Sequence, residues 1–248
     1  MDVAILVDIK KETDRNWRFI FESPLYDKLD FIPGQLIQLH ATIPGEVMPV
    51  VRNYSVASWP DSTNKFELIV TYLPGGAMSE YLFNYIKVGD EIVYRGPMGI
   101  FTLPENLDER DIYLVSTGSG ISPFRSMIGW INQEKIELKR NIKLFFGTRK
   151  VNDILYSTEM LEYQFNIPNF EFVPTLSQET DYFLDQMNRR DLYKKGYVHE
   201  HYLKLIDKLD HKPLVYFCGW NKMIAEGRQH LKERGFEMGK DIRVEIFG

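Results

Sequence analysis

The residues best suited by type and spacing to do chemistry lie in a glycine-spaced turn, Thr117-Gly118-Ser119-Gly120, which follows the apolar run 112–116. Glycine turns without steric penalty, and its lack of a side chain lets backbone N–H groups approach a phosphate at a helix N-terminus. Pro123 suits the first turn of the helix that should follow, because its missing donor costs nothing there. The turn therefore predicts a pyrophosphate site, although an ordinary turn after a strand explains this motif equally well.

Three earlier stretches gain meaning because a candidate phosphate site follows them in the chain. Arg52-Asn53-Tyr54-Ser55 places a guanidinium, an aromatic plane and a hydroxyl within four residues of one predicted strand. Gly75-Gly76-Ala77-Met78-Ser79 ends a strand and starts a helix, which gives a second candidate anion site. Arg95-Gly96-Pro97-Met98-Gly99 is predicted to be a tight turn. Taken singly, the three have plain alternatives: an edge strand, a serine-capped helix and a mere turn.

Cys218 is the single cysteine among 248 residues, which excludes internal disulfides and any cluster held by four thiolates of this chain. It follows the apolar run 214–217, so it should lie at the carboxyl end of a parallel strand, where open α/β sheets bind ligands. The alternative is a buried cysteine that packs as a small hydrophobe. No histidine is placed to activate the thiol, so nucleophilic catalysis is not predicted. Nor is a metal site predicted at His199-Glu200-His201, because helical residues two apart point in different directions.

Composition indicates a soluble globular protein with one large or two modest domains, since 44% of the residues are hydrophobic and 26% are charged. No apolar run is long enough to span a membrane, and the N-terminus lacks the basic and apolar regions of a signal peptide. A formal net charge of −5 argues against nucleic-acid binding, which needs an excess of Lys and Arg on one face. We expect a cytoplasmic protein without membrane insertion and take it to be a monomer.

The secondary structure that must position these residues is predicted to be of two kinds, one in each half of the chain. Residues 1–107 show short β-type runs separated by Pro- and Gly-containing turns, which predict a six-stranded antiparallel barrel with a helix at 79–85. From residue 108, strands alternate with helices, which predicts a five-stranded parallel α/β sheet. The charged stretch 106–111 is the predicted boundary. The predicted strands span residues 3–9, 17–22, 35–40, 53–57, 66–72, 91–94, 112–116, 142–147, 170–176, 214–217 and 242–246, and the later helices 123–133, 153–165, 199–209 and 222–234.

Together these motifs resemble those of the ferredoxin–NADP(+) reductase family in order and approximate spacing, and the resemblance covers nearly the whole chain. It implies an FAD-binding antiparallel barrel at residues 1–107 and an NAD(P)-binding domain at residues 108–248. The matching residues are Arg52, Tyr54, Ser55, Gly76, Ser79, Gly96, Pro97, Gly99, Thr117, Gly118, Gly120, Pro123, Cys218, Gly219 and Met223.

The resemblance also implies a role for each site residue. Tyr54 would stack on the isoalloxazine ring, and Ser55 would hydrogen-bond near flavin N5. Ser55, Cys218 and Glu245 would form the catalytic set that shapes the contact between flavin and nicotinamide. The implied cofactor-binding residues are Arg52, Tyr54, Ser55, Val70, Tyr72, Gly76, Ala77, Met78, Ser79, Thr117, Gly118, Gly120, Pro123, Arg149, Ser177, Gln178, Gly219, Met223 and Phe247, and no metal site is implied.

The C-terminal residues Val244-Glu245-Ile246-Phe247-Gly248 resemble the plant-type ending Glu-Val-Tyr. By that match, Glu245 would lie near the nicotinamide and Phe247 against the flavin ring. Phenylalanine replaces tyrosine and a glycine is added, so stacking is retained while the phenol hydroxyl is lost.

Coenzyme preference depends on residues that follow two later strands. Thr148-Arg149-Lys150 favours the 2′-phosphate of NADPH. Ser177-Gln178 occupies the place of the family's Ser-Arg pair. The neutral amide of glutamine cannot make the paired, charge-assisted hydrogen bonds that arginine makes to a phosphate. Arg189 or Arg190 could substitute for it. We expect NADPH as the coenzyme, with NADH as the alternative.

The implied reaction is hydride transfer between NADPH and FAD, with single electrons passing to ferredoxin or flavodoxin. A separate carrier is expected because one cysteine cannot hold an iron–sulfur cluster. The basic run 188–195 could dock an acidic partner, or it could be ordinary solvated surface. The alternatives are a free-flavin or quinone reductase, and a non-catalytic flavin-binding subunit or redox sensor.

Overall fold

The computed structural model describes residues 1–182 and 192–246. The chain divides into two units: unit 1 comprises Met1–Leu103 and Ser122–Trp130, and unit 2 comprises Pro104–Ile121 and Ile131–Gly248. The domain boundary predicted between residues 107 and 108 remains a prediction. Within the described residues, no helix combines the length and apolar character needed to cross a membrane.

Unit 1 is built on an antiparallel sheet of six strands, as the sequence predicts. The strands are Asp2–Lys11 (β1), Asn16–Glu22 (β2), Leu36–Ala41 (β3), Val50–Ser55 (β4), Lys65–Thr71 (β5) and Glu91–Met98 (β6), and the helix Ala77–Asn84 (α1) follows β5. Their order in the sheet is β4-β3-β6-β1-β2-β5. Alternation decides which face is inside, since Ile37, Leu39 and Ala41 of β3 are buried and the residues between them are partly exposed.

The two edge strands of this sheet approach each other, and the space they enclose is filled by aromatic side chains. The Ala57 N–H, just after β4, donates to the Glu67 carbonyl of β5 at 2.8 Å. Phe66 lies 5.3 Å from Phe21 and 5.4 Å from Tyr94, measured between ring centroids. These rings and the aliphatic residues around them form one continuous core.

The segment Arg95-Gly96-Pro97-Met98 is strand, and the tight turn predicted there is wrong. Leu36 of β3 pairs with Met98 and Gln38 pairs with Arg95, so two residues of β6 lie opposite the single residue between them. This arrangement is a β-bulge, and Gly96 accommodates it with a φ of +119°. A bulge carries the same glycine signal as a turn, and here the strand continues past it.

A buried ion-pair network lies within unit 1. Glu67 on β5 and Arg125 on the helix Ser122–Gln133 (α2) are each 6% exposed. The Glu67 carboxylate accepts from Arg125 at 3.1 Å and from Arg18 at 2.6 and 3.0 Å. Arg125 also donates to the Ala57 carbonyl at 2.8 Å, and its guanidinium lies 5.2 Å from the Trp59 ring centroid. Each charge in this network therefore has both an ionic partner and a directed hydrogen bond.

Unit 2 is a parallel sheet with helices, as predicted, but its described residues form six strands where five were predicted. The strands are Ile112–Thr117 (β7), Ile142–Thr148 (β8), Phe170–Leu176 (β9), Lys194–Lys195 (β10), Leu214–Gly219 (β11) and Ile242–Ile246 (β12), in the order β10-β9-β8-β7-β11-β12. The additional strand, β10, is two residues long and pairs with Thr175 and Leu176 at the sheet edge. Two lysines carry no apolar signal, which is why the pattern missed it. The helices are Ser157–Asn166 (α3), Val198–Ile206 (α4) and Asn221–Glu233 (α5).

Candidate active site

In unit 1, Arg52 and the start of α1 line one surface cleft. The cleft has a volume of about 560 Å³ and is walled by residues 45–52 together with Ala77. Arg52 is exposed, and its guanidinium donates to the neighbouring Val51 carbonyl at 2.7 Å. The structure thus brings together two of the predicted phosphate-binding features, which are 25 positions apart along the chain.

The first turn of α1 has no side-chain cap. Its N-cap residue is Gly76, which makes no side-chain cap hydrogen bond, so the alternative of a serine-capped helix is wrong. The Ser79 hydroxyl instead accepts from the Leu73 N–H at 3.1 Å and lies 2.9 Å from the Gly76 carbonyl. The Glu80 carboxylate accepts from the Gly75 N–H at 2.7 Å, just before the helix. The helix N-terminus therefore offers backbone N–H groups, together with the partial positive charge of the helix dipole.

Tyr54 and Ser55 end β4. Tyr54 is partly buried against the core of unit 1, and burial raises its pKa well above the usual value while nearby Arg52 lowers it. The phenol is therefore neutral at physiological pH and presents an aromatic plane beside the guanidinium of Arg52. Ser55 is only 2% exposed. Tyr72, after β5, packs its ring 5.2 Å from that of Phe83 on α1.

In unit 2, the glycine turn and the Cys218-Gly219 pair are packed against each other. A β-carbon on Gly120 would lie 2.3 Å from the Cys218 carbonyl oxygen, and one on Gly219 would lie 2.6 Å from Thr117 Oγ1. Gly118 and Gly219 have φ angles of +56° and +134°. The turn itself is a short 3₁₀ helix, Gly118–Ile121, that leads into α2, where Pro123 is the second residue. Close backbone contact therefore requires glycine at positions 120 and 219, and the positive φ favours glycine at positions 118 and 219.

Cys218 is fully buried between the strands that hold Ser116 and Glu245. Burial raises the pKa of its thiol well above the usual value, and the Glu245 carboxylate raises it further. A thiol in this setting stays protonated at physiological pH and is a poor nucleophile. Cys218 and Glu245 are thus neighbours, as their predicted roles require, and the thiol is a small neutral group.

The predicted coenzyme-selecting residues meet at the carboxyl ends of β8 and β9. The Gln178 N–H donates to the Arg149 carbonyl at 3.0 Å, and the Ser177 N–H donates to the Thr148 carbonyl at 3.0 Å. The side chains of Arg149 and Gln178 are both exposed. Glu179 accepts from the Val151 N–H at 3.0 Å, so a carboxylate lies beside the same loop.

Other predicted residues lie elsewhere. Val70, Met78 and Met223 have their side chains in apolar cores, so their predicted contacts can concern only backbone groups. Phe247, Arg189 and Arg190 lie outside the described residues.

Among the described residues, no cluster of His, Cys, Asp and Glu could hold a metal ion. His199 instead hydrogen-bonds the Tyr202 hydroxyl at 2.8 Å, and His201 bonds the Lys195 carbonyl at 2.8 Å.

Trp220 is a residue of this region that sequence reasoning missed. It follows Gly219 directly, is 66% exposed, and has its indole nitrogen 3.9 Å from the position that a β-carbon on Gly118 would occupy. The family pattern treats this position as variable, so only its aromatic type at the carboxyl end of a strand could have signalled it.

Comparison with known proteins decides the family. The Oxidoreductase FAD-binding domain model matches residues 4–103, and the Oxidoreductase NAD-binding domain model matches residues 114–229. Over 222 residues the chain is 30% identical to ferredoxin–NADP reductase B of Sorangium cellulosum, covering 88% of this chain and 85% of that protein. The chain belongs to the ferredoxin–NADP reductase family. Its two matched domains are an FAD-binding and an NAD-binding oxidoreductase domain.

Other comparisons agree with membership of the ferredoxin–NADP reductase family. The anthranilate 1,2-dioxygenase electron transfer component of Acinetobacter baylyi is 28% identical over 208 residues, 84% of this chain and 55% of that protein. The chain spans about half the length of several curated relatives that it matches. A ferredoxin–NADP(+) reductase structure from Neisseria gonorrhoeae with bound FAD and NADP superposes with a TM-score of 0.76, at 20% identity, covering 98% of this chain and 97% of that one, and it shows the shared fold.

Proposed function

We propose that the protein transfers hydride between NADPH and FAD and passes electrons singly to a separate carrier of the ferredoxin or flavodoxin class. The observation that supports the proposal is the presence of two arrangements suited to phosphate, the cleft beside Arg52 in unit 1 and the glycine turn in unit 2. Two such sites suit two dinucleotides. The matched FAD-binding and NAD-binding domains support this assignment.

The chemistry of the residues in the unit 1 cleft fits FAD. A guanidinium and an uncapped helix N-terminus suit a pyrophosphate, and a neutral tyrosine plane two residues from the guanidinium suits a flat ring. When bound, FAD supplies both hydride and one-electron chemistry. Arg52 and α1 would bind its pyrophosphate, Tyr54 would orient its ring, and the Ser55 hydroxyl would offer a hydrogen bond at the edge of that ring.

Unit 2 would bind and orient the nicotinamide coenzyme. Gly118 and Gly120 leave the backbone of the turn open to a diphosphate, because neither carries a side chain there. Cys218 keeps its proton and presents no competing charge at the carboxyl end of β11. Glu245, its neighbour on β12, would supply a negative charge or accept a proton beside the nicotinamide.

Coenzyme choice within this proposal depends on Arg149. Its side chain is exposed at the carboxyl end of β8, where a 2′-phosphate would need a cation. The neutral Gln178 and the nearby Glu179 carboxylate favour NADH instead, because a carboxylate suits a ribose 2′-hydroxyl. We propose NADPH, with NADH as the second candidate.

The nature of the acceptor is also part of the proposal. The names of several relatives describe electron transfer or reductase components of oxygenases, which favours an oxygenase system as the final user of the electrons. A diffusible flavin or quinone is the alternative acceptor.

The test is anaerobic mixing of the FAD-loaded protein with NADPH and, separately, NADH in a stopped-flow instrument. We expect rapid loss of the oxidised-flavin absorbance with NADPH and slower loss with NADH. Arg149→Ala should remove that difference, whereas Arg228→Ala, an exposed arginine of α5, should preserve it. Faster bleaching by NADH than by NADPH in the wild-type protein would make NADH the coenzyme. A flavin that neither coenzyme bleaches would overturn the proposed function.

The acceptor is then tested by steady-state reduction of ferredoxin, flavodoxin, free flavin and a quinone. Faster turnover with free flavin or quinone than with either carrier protein would contradict the proposed one-electron role.

A further inference from the structure

The side chain of Trp220 lies beside the glycine turn of unit 2. Isolated exposed hydrophobic side chains are common on protein surfaces, so the 66% exposure of Trp220 alone indicates nothing. Its position is more informative, because the indole nitrogen is in ordinary contact distance, 3.9 Å, of the point where a β-carbon on Gly118 would lie. The polar atom of the ring therefore faces the turn.

The backbone fixes the place of this side chain. The Trp220 N–H donates to Thr117 Oγ1 at 3.2 Å, and Gly219 lies so close to Thr117 that no side chain would fit between them. Trp220 is also the N-cap residue of α5, so the unpaired N–H groups of that first helical turn open at the same end of the sheet. Trp220 is thus placed at the start of α5, with its indole nitrogen near the glycine turn.

The indole N–H is a donor without an acceptor in the part of the chain that the structure describes. An indole has an apolar face and a single N–H, a combination suited to a ligand that joins a phosphate to a sugar and a flat ring. A nicotinamide dinucleotide has this chemistry.

We propose that Trp220 is a coenzyme-binding residue whose N–H donates to the diphosphate of NAD(P)H while its ring covers the adjoining ribose. This inference rests on the proposed binding of NAD(P)H at the glycine turn. It makes Trp220 a determinant of coenzyme affinity, and its aromatic face excludes water from one side of the bound diphosphate.

The experiment measures binding of oxidised NADP(+) to the FAD-loaded protein, so that no turnover occurs. Affinity is read from the flavin difference spectrum, and quenching of tryptophan fluorescence gives a second signal. Trp220→Ala should weaken binding roughly tenfold, and Trp220→Phe, which keeps a ring and loses the donor, by a few-fold. Both variants should lose most of the quenching. Phe165→Ala removes another exposed aromatic residue, at the end of α3, and should change neither signal.

The outcomes separate this inference from the function on which it rests. Weaker binding and lost quenching in the Trp220 variants, with an unchanged melting temperature, would support the role. Unchanged or tighter binding by Trp220→Ala would overturn it while leaving the proposed function intact. A wild-type protein that holds FAD but binds neither NADP(+) nor NAD(+) would overturn both.

Discussion

Gly219 shows at the scale of one residue how backbone contact restricts the residue type at the carboxyl end of β11. Its φ of +134° is a conformation that side chains rarely adopt, and a β-carbon there would lie 2.6 to 3.0 Å from three atoms of Thr117. Gly239 has a φ of +80° and open space around it. A side chain at either position would therefore have a strained backbone conformation, but only a side chain at position 219 would also collide with neighbouring atoms.

We predict that Gly219→Ala destabilises the protein by roughly 3 kcal/mol or more and weakens coenzyme binding, because strain and overpacking add. Gly239→Ala should cost about 1 to 2 kcal/mol, from strain alone, and leave coenzyme binding unchanged. Urea unfolding and NADP(+) titration would check both variants. Equal losses of stability in the two variants would show that contact with Thr117 is unimportant.

Arg52 allows a second prediction at this scale. Arg52→Ala removes the cationic side chain from the cleft formed by residues 45–52 and Ala77, and it should weaken FAD binding roughly tenfold to a hundredfold. Arg52→Lys keeps a positive charge and should lose less of the affinity for FAD. Equilibrium dialysis of FAD against the purified protein gives the affinity. The control is Arg95→Ala, an exposed arginine on β6. If Arg52→Ala retains wild-type affinity, the cleft does not hold the pyrophosphate.

The glycines and Arg52 could be singled out from the sequence, because strained turns and phosphate-binding positions restrict residue type strongly, and their binding roles remain predictions. The sequence could not predict that Ser79 bonds back to the Leu73 backbone, because that contact depends on how the chain enters α1. It also gave no reason to single out Trp220, because the proximity of Trp220 to Gly118, about 100 positions earlier in the chain, is visible only in the folded structure.

At the scale of elements, α2 is tied to β5 by the Arg125–Glu67 ion pair. Both side chains are almost completely buried, so the pair has left water and depends on its own geometry. Removing one charge leaves the other buried without full compensation.

We predict that Glu67→Gln lowers the free energy of unfolding by roughly 3 to 5 kcal/mol, because Arg125 then stays buried beside a neutral amide. Asp14→Asn, which breaks the exposed pair with Lys11, should leave the melting temperature unchanged. Calorimetry would compare the variants. A similar, negligible change in both would mean that the buried pair contributes little.

Of the twelve strands formed by residues 1–182 and 192–246, eleven were predictable because each is a run of alternating or continuous apolar residues. The exceptions have physical reasons. Residues 95–98 continue β6 through a bulge whose glycine and proline are also typical of turns. Strand β10 consists of two lysines whose strand conformation comes from pairing with β9 rather than from their own side chains.

At the scale of the whole molecule, acid stability depends on His199. This residue of α4 is 8% exposed, and burial lowers its pKa to about 4, with His230 of α5 lowering it further and Glu226 of α5 opposing. The folded state therefore keeps His199 neutral where the unfolded chain, with a pKa near 6.5, binds a proton. Stability falls as pH decreases from about 6.5 toward 4.

We predict that His199→Phe removes part of this acid sensitivity. The wild-type protein should lose roughly 2 kcal/mol more stability than the variant between pH 7.5 and pH 5. Urea unfolding in excess FAD at the two pH values measures the difference. His201→Gln, which changes a more exposed histidine of the same helix, should behave like the wild type. Parallel pH profiles for wild type and His199→Phe would contradict the assignment.

The division of α2 between the two units limits how far the halves of this chain are interchangeable. Residues Ser122–Trp130 belong to unit 1, although 18 residues of unit 2, Pro104–Ile121, precede them. A chimera joined at residue 103 to the second half of a relative would import a foreign version of this segment and would place a foreign residue opposite Glu67. Recombination between homologues should therefore succeed only when residues 122–130 are inherited together with residues 1–103.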